Sequence, residues 1–341
     1  MQGPLPPNHP PILPCKTGLL IINLGTPEAT DYWSVRRYLK EFLSDTRVIE
    51  VNRLVWWFIL NVVILSFRPT KSGHAYAQIW NRELDESPLK TFTRAQSDKI
   101  RVALTGSGKL VVDWAMRYGQ PSVKDKLEAL KAEGCDRIVL FPLYPQYSAA
   151  TTATALDKAY EALMGMRWQP SIRTVPPYFD HPAYIDAVAA SLKNHLASLS
   201  WKPDRILIAF HGLPREYLDK GDPYHCHCQK TARLLREKLG LSADFAQLVF
   251  QSRFGRAEWL KPYAQDIVEG LPAQGVNNLV MISPGFSSDC VETLEELAIG
   301  LQETFKERGG TNFSVVPCLN DSADSIAMLA KLARDELVGW M

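Results

Sequence analysis

Two Rossmann-like α/β domains, each a four-stranded parallel sheet flanked by helices, with an active cleft between them, are what this 341-residue sequence predicts. Short apolar runs alternate with stretches of helical periodicity, the pattern of parallel sheets covered by helices on both faces. The runs number eight, which divides into two four-stranded units. The halves also repeat each other. Leu19 to Asn23 followed by Leu24-Gly25-Thr26-Pro27 parallels Ile206 to Phe210 followed by His211-Gly212-Leu213-Pro214. Ile138 to Pro142 parallels Leu279 to Pro284, and both continue into Ser-rich loops, at 148–152 and 287–288.

In chain order, Met1 to Pro14 is Pro-rich and polar, without the basic start and apolar core of a signal peptide, and 1–16 reads as a disordered tail. The expected strands are 19–23, 110–114, 138–143 and 172–175 in the first half, then 206–210, 246–251, 279–283 and 313–317 in the second. Helical periodicity covers 123–133, 182–199, 229–239 and 257–270. The first domain is placed at 17–168 and the second at 169–316, with 317–341 expected as a strand and helix packing back on the first. From first strand to Ser-rich loop the first half is longer by about 45 residues, and a surplus of that size at a domain mouth points to a functional lip.

That surplus includes Leu54 to Phe67, an apolar run interrupted by Asn61 and Ser66 and flanked by Arg53 and Arg68. It is shorter than the ~20 apolar residues of a spanning helix. A buried core helix is the simplest reading. The alternatives are a helix lying in a membrane interface, with Trp56 and Trp57 at headgroup level, and the wall of a pocket for a large flat apolar ligand.

Formal net charge of +1 gives no reason to expect a nucleic-acid partner. The six cysteines are scattered, as in a reducing compartment. Thr105 to Lys109 resembles the tail of a phosphate loop but lacks its upstream Gly and its Ser/Thr, so it reads as a turn. Leu24-Gly25-Thr26-Pro27 lacks the further glycines of a dinucleotide fingerprint. His225-Cys226-His227-Cys228 has no second Cys/His pair at zinc spacing and reads as a polar loop before a helix starting near Gln229.

Chemistry gathers at two strand ends, where active sites of open α/β sheets lie. His211 ends one run and Gly212 permits a tight turn behind it. The other run opens into Ser287-Ser288-Asp289-Cys290-Val291-Glu292-Thr293-Leu294-Glu295-Glu296. Glu292, Glu295 and Glu296 fall on one face of an α-helix, a repulsive stripe unless a proton or a metal relieves it. The structural alternative is a capping box, with Asp289 as N-cap and Glu292 as its partner.

The ordered motifs Asn23-Leu24-Gly25-Thr26-Pro27, Arg117-Tyr118-Gly119, Tyr144-Pro145-Gln146-Tyr147-Ser148, Phe210-His211-Gly212-Leu213-Pro214, Gly221-Asp222-Pro223-Tyr224, Gln251-Ser252-Arg253-Phe254-Gly255 and Phe286 to Thr293 make the chain resemble the ferrochelatases, which insert ferrous iron into protoporphyrin IX in the last step of haem synthesis. The resemblance runs from about Gly18 to Leu332. It implies the chelatase-like fold, a lyase activity, and an iron site at His211 and Glu292. Asp289 and Glu296 match a polar path leading from that site, so His211, Glu292, Asp289 and Glu296 are the candidate catalytic residues. Leu24, Arg68, Ser87, Arg117, Tyr118, Tyr144, Trp259 and Phe286 are the candidate substrate-binding residues, Tyr144 also matching a proposed metal route. Iron replaces two pyrrole protons, so the site must accept protons beside a metal, as imidazole and carboxylate can.

The resemblance also implies porphyrin and Fe2+ as partners, a cytoplasmic protein peripherally attached to the inner membrane through its lip, and a monomer. Fe2+ is substrate, and no cofactor is expected. The iron–sulfur cluster of animal-type members is not expected, because the 147–149 loop has no cysteine and no Cys-rich extension follows within this sequence. Cys290 stands where animal-type members have histidine, and a thiolate there could substitute. Gly300 stands where a further carboxylate of the inner path is found. The rival readings are a chelatase loading cobalt or nickel into another tetrapyrrole, and a haem or porphyrin carrier without catalysis.

Overall fold

A computed structural model describes residues 8–9, 15–104, 108–255 and 257–341. It has two four-stranded parallel sheets. The first consists of β1 (Lys16–Gly25), β2 (Leu110–Tyr118), β3 (Cys135–Pro142) and β4 (Ser171–Thr174), in spatial order β2-β1-β3-β4. The second consists of β5 (Arg205–His211), β6 (Ala246–Gln251), β7 (Asn278–Ile282) and β8 (Asn312–Val316), in order β6-β5-β7-β8. The two orders are the same, so the internal repeat read from sequence is a repeat of topology. In such an order the chain reverses between the first and third strands of each unit, and a crevice opens there beyond the carboxyl ends. In the second unit that crevice lies between the ends of β5 and β7, where His211 and the acidic segment stand.

The central strands are apolar throughout because both faces are covered. Leu19 and Ile21 of β1 and Ile206, Ile208 and Phe210 of β5 face one core shared by both sheets. Their neighbours Leu20 and Ile22, and Leu207 and Ala209, face separate outer cores. This is the period-two alternation of a strand. Helix starts follow local capping chemistry: Asp31, Ser87, Ser122 and Ser322 accept backbone N–H groups of the helices they precede.

Ser171–Thr174 pairs with β3, so the first sheet extends past position 168. Within 317–341 the described structure is the helix Ala323–Leu337 without a strand, since β8 ends at Val316 before Pro317. That helix does pack on the first unit, where Arg334 donates to the Ala103 carbonyl at 2.7 Å. His225 to Cys228 lie within the helix Tyr224–Leu239 and not in a loop, because Asp222 and Pro223 start it early, Asp222 accepting the Tyr224 N–H at 3.0 Å. Residues 257–263 are not helical: Leu260 N–H bonds the Leu213 carbonyl and the Glu258 carbonyl takes the Arg215 N–H. The helix there is Ala264–Gly270. The expected tail lies almost wholly outside the described residues, as does most of the 105–109 turn.

The halves are joined through motif residues. Asp222 Oδ2 accepts the Ser148 hydroxyl at 3.0 Å and the Ala149 N–H at 2.8 Å. Gln146 donates to Thr231 at 3.0 Å, and His227 Nδ1 accepts the Tyr147 N–H while its ring stacks on Phe179 at 3.6 Å. The His/Cys run therefore serves the joint between the units.

The lip is longer than the sequence suggests, one continuous helix from Arg53 to Ile79 with a π-helical stretch at Ile59–Ile64. Trp56, Leu60, Leu65, Pro69, Gly73 and Tyr76 form its buried stripe. Leu54, Trp57, Phe58, Val62, Val63 and Phe67 are exposed, Phe67 by 76%. By length and composition this helix could cross a membrane. Its buried stripe holds it to the body instead, and a Cβ on Gly73 would sit 2.5 Å from the Thr30 carbonyl oxygen.

Candidate active site

His211 is the last residue of β5 and is half-buried. Its Nδ1 lies 2.6 Å from the Gly212 carbonyl oxygen. A carbonyl can only accept, so Nδ1 is the donor here and Nε2 is the ring nitrogen left for a substrate proton or a metal. The Tyr224 hydroxyl donates to the His211 carbonyl at 3.1 Å and steadies the strand end. Gly212 is required there, since a Cβ would meet the Gln251 carbonyl oxygen at 2.7 Å and the Trp259 ring at 3.1 Å. Trp259 is thus a wall beside His211, and its buried Nε1–H has no hydrogen-bond partner.

Beyond β7 the chain turns at Ser283–Phe286 and enters the π-helix Glu292–Leu301. The first unit holds this approach, with Gln96 donating to the Ser287 carbonyl at 3.2 Å and accepting the Ser288 hydroxyl at 3.2 Å. The segment is a π-helix in place of the expected α-helix, and Glu295 and Glu296 both stay within electrostatic range of Glu292. Glu296 faces β6 and His211: Oε1 accepts the Ser252 N–H at 2.7 Å and Oε2 the Ser252 hydroxyl at 2.5 Å. Glu295 is also within electrostatic range of Lys71 and Glu303. The structure therefore brings together His211, Glu292 and Glu296, and Gln251 Nε2 fixes the start of the π-helix by donating to the Glu292 carbonyl at 3.1 Å.

The lip helix brings Arg68 and Tyr76, and the helix Tyr32–Ser44 brings Tyr38, within electrostatic range of Glu292. Burial pushes both phenols far up, so they are neutral donors in this wall. Burial also lowers the Arg68 guanidinium, and Glu292 works against that. Arg68 lies over the Phe254 ring at 4.8 Å. Leu24 packs with Tyr38, Tyr118 and Val291 as part of the same wall.

Asp289 is 5% exposed and is not a helix N-cap. Its carboxylate accepts from Thr293 Oγ1 at 2.9 Å, the Cys318 N–H at 3.3 Å and Asn320 Nδ2 at 2.6 Å. Those bonds bind the start of the π-helix to the 318–320 loop, a positioning role that replaces the expected capping box. Burial, with Glu292 beside it, pushes the Cys290 thiol well up, so a thiolate substituting for the histidine of animal-type members is not favoured.

Three of the expected substrate contacts are engaged elsewhere. Tyr118 is fully buried, and its hydroxyl donates to Asp45 at 2.9 Å. The Arg117 side chain, 9% exposed, forms an ion pair with Asp45 and donates through Nε to Thr154 Oγ1 at 2.7 Å. Although burial opposes it, hydrogen bonds from Thr154, the Arg47 N–H and Tyr118, with the Arg117 charge, hold the Asp45 carboxyl below its usual range. Ser87 is 1% exposed and caps the helix Pro88–Ala103. Tyr144 sits past β3 at the corresponding crevice of the first unit, its hydroxyl buried without a partner. Phe286 is half-buried.

Cavities of about 450 and 250 Å³ border Arg117 and Asp289 respectively, and His211 lines neither. Among the described residues no three His, Cys, Asp or Glu side chains converge as a preformed metal cage. The centre offers instead one imidazole within electrostatic range of Glu296, itself beside Glu292, groups that can pass protons beside a transient cation.

Burial pushes the Glu296 carboxyl up from its ordinary 4.5, assisted by the Glu292 charge and opposed by Ser252 and His211. The folded state thus holds this proton more tightly than the unfolded chain, and the contribution to stability falls as pH rises from 4.5 through the raised folded value. Glu296→Gln carries no such penalty. The melting temperature of that variant minus that of the wild type should increase from pH 4 to pH 8; a constant or falling difference would contradict the raised pKa.

The residues that sequence reasoning left without a role are Gln251 and Ser252. Their only signal was their place in a quoted motif at the end of a strand; Asp45, Gln96 and Asn320 gave none.

The ferrochelatase family model matches residues 16–337. A ferrochelatase of Agrobacterium fabrum is 56% identical over 337 residues, covering 99% of this chain and 98% of that protein. One of Rhizobium meliloti is 56% identical over 98% of both chains, and one of Brucella ovis 54% identical over 96% of this chain and 93% of its own. Among solved structures, SirB from Bacillus subtilis with Fe3+ aligns with a TM-score of 0.56 at 11% identity over 95% of this chain and 97% of that one. The sirohydrochlorin chelatase SirB from Bacillus subtilis subspecies spizizenii in complex with cobalt aligns with a TM-score of 0.53 at 10% identity, over 94% and 95%. At those identities the structural likeness shows a shared fold.

Proposed function

Because this chain belongs to the ferrochelatase family, an enzyme family of metal chelatases that insert Fe2+ into porphyrin for haem synthesis, we propose that its metallation centre is the cluster of His211, Glu292 and Glu296. The reaction exchanges two pyrrole N–H protons for one Fe2+. Iron bonds all four ring nitrogens, and the two that carry protons must lose them. The Nε2 lone pair of His211 takes one proton on one side. Glu292 holds the cation on the other, and the Glu296 carboxylate behind it takes the second proton. The observation that carries this reading is the Nδ1–H bond of His211 to the Gly212 carbonyl, which leaves Nε2 as the free base. Trp259, Leu24, Phe286 and the Arg68–Phe254 pair are the walls for a flat apolar ring. Arg117 and Tyr118 act one layer behind, through Asp45.

Protoporphyrin IX is the substrate that suits an apolar mouth, because coproporphyrin III would bring two further carboxylates against it. With ferrous iron under anaerobic conditions, kcat/KM for protoporphyrin IX should exceed that for coproporphyrin III by at least about tenfold, the order expected for desolvating an ill-placed carboxylate. Equal or reversed values would overturn this choice.

The exposed face of Arg53–Ile79 supports a peripheral site on the cytoplasmic surface of the inner membrane. Asn61 Nδ2 donates to the Trp57 carbonyl and Ser66 Oγ to the Val62 carbonyl, each at 2.8 Å. The polar interruptions of the apolar face are thus satisfied on the helix itself, as an apolar medium demands. Wild-type protein should cosediment with lipid vesicles, and the double substitution Phe58→Glu and Val62→Glu should weaken that by at least about tenfold. Unchanged sedimentation would exclude the lip as the contact. We propose that the chain acts as a monomer without an iron–sulfur cluster. Cys135 and Cys228 lie in separate cores, which supports the absence of a four-thiolate site that would use both.

A further inference from the structure

We propose that Ser252 is a positioning residue for metallation, holding the Glu296 carboxylate at a fixed place relative to His211. The case rests on the frame around it. His211 and Gln251 are registered partners on β5 and β6, and the Gly212 N–H donates to the Gln251 carbonyl at 2.8 Å. The position of Ser252 is therefore tied to that of His211 through one hydrogen-bonded ladder. Gln251 then anchors the first turn of the π-helix through the Glu292 carbonyl. Ser252 follows with φ of +65°, a region that non-glycine residues rarely occupy and that costs stability. In that conformation its N–H and its hydroxyl both point at one carboxylate, one to each oxygen. A side chain held at both oxygens has lost its rotation, and a π-helix has few other means of fixing the residue it displays. Gln251 and Ser252 thereby set the spacing between the imidazole and the acidic helix.

The inference rests on Glu296 taking part in metallation, so the test separates the two ideas. Steady-state metallation, porphyrin KM and melting temperature are measured for wild type, Glu296→Gln, Ser252→Ala and Ser252→Gly. Ser252→Gly keeps the N–H and relieves the positive φ but removes the hydroxyl, so its fold should be at least as stable as wild type. Both Ser252 variants should lose about tenfold in kcat, the size of one hydrogen bond to a charged group, with porphyrin KM within about twofold. Wild-type kcat in Ser252→Gly, alongside a slow Glu296→Gln, would overturn the positioning role alone. A parallel rise in KM and fall in melting temperature in Ser252→Gly would also overturn it, as the mark of a purely structural residue. Wild-type kcat in Glu296→Gln would remove the assignment of Glu296 and the inference with it.

Discussion

His211→Ala should slow iron insertion by about 10²–10⁴-fold while leaving porphyrin affinity within a few-fold of wild type. The magnitude is that of a positioned acid–base group, the role proposed for His211. The binding surface should survive, because the proposed walls Trp259, Leu24 and Phe286 are untouched, and the half-buried imidazole is not what packs the end of β5 into the core. Phe210, fully buried in the shared core, does that. The expected result is a protein that folds, quenches porphyrin fluorescence normally and does not metallate. A variant retaining more than a tenth of the wild-type kcat would move the base elsewhere, with Glu292 and Glu296 the remaining candidates.

Asp289→Ala should be the most destabilising single change near the site. It removes an acceptor of three hydrogen bonds and leaves the Cys318 N–H and Asn320 Nδ2 without it in a partly buried position. Unsatisfied buried donors cost about 1–3 kcal/mol each, so a loss of about 3 kcal/mol and a fall in melting temperature on the order of 5 °C are expected. Activity should fall with stability, because the π-helix start moves. If Asp289→Ala melted with wild-type protein and lost only kcat, Asp289 would belong to the proton or iron path that the family resemblance implies and not to the anchor seen here.

All eight strands could be read to within a few residues; the central ones, β1, β3, β5 and β7, are apolar runs buried on both faces, a pattern that survives without knowledge of its partners. The repeat of Leu24-Gly25-Thr26-Pro27 in His211-Gly212-Leu213-Pro214 located the crevice, since both follow the first strand of a 2-1-3-4 sheet. What resisted reading depended on long-range partners. The π geometry of Glu292–Leu301 has no periodicity signature in so short a segment. Arg117 and Tyr118 read as substrate contacts because Asp45, which holds both, lies in no motif and is distant in sequence. Several motif residues that carried the family resemblance, Gln146, Ser148 and Asp222, join the two units instead of touching the cleft. Their constraint is architectural, and a single sequence does not distinguish it from chemistry.

The central claim is that this chain exchanges porphyrin protons for ferrous iron at the His211–Glu292 cleft. Anaerobic stopped-flow mixing of wild-type protein, protoporphyrin IX and Fe2+ in weakly buffered solution, following the Soret band and an indicator dye together, tests it most directly. The account predicts conversion to haem with two protons released per ring, in step with the spectral change. Tight porphyrin binding with no Soret shift and no proton release would contradict it, and would identify the protein as a carrier whose Glu292 only begins a helix.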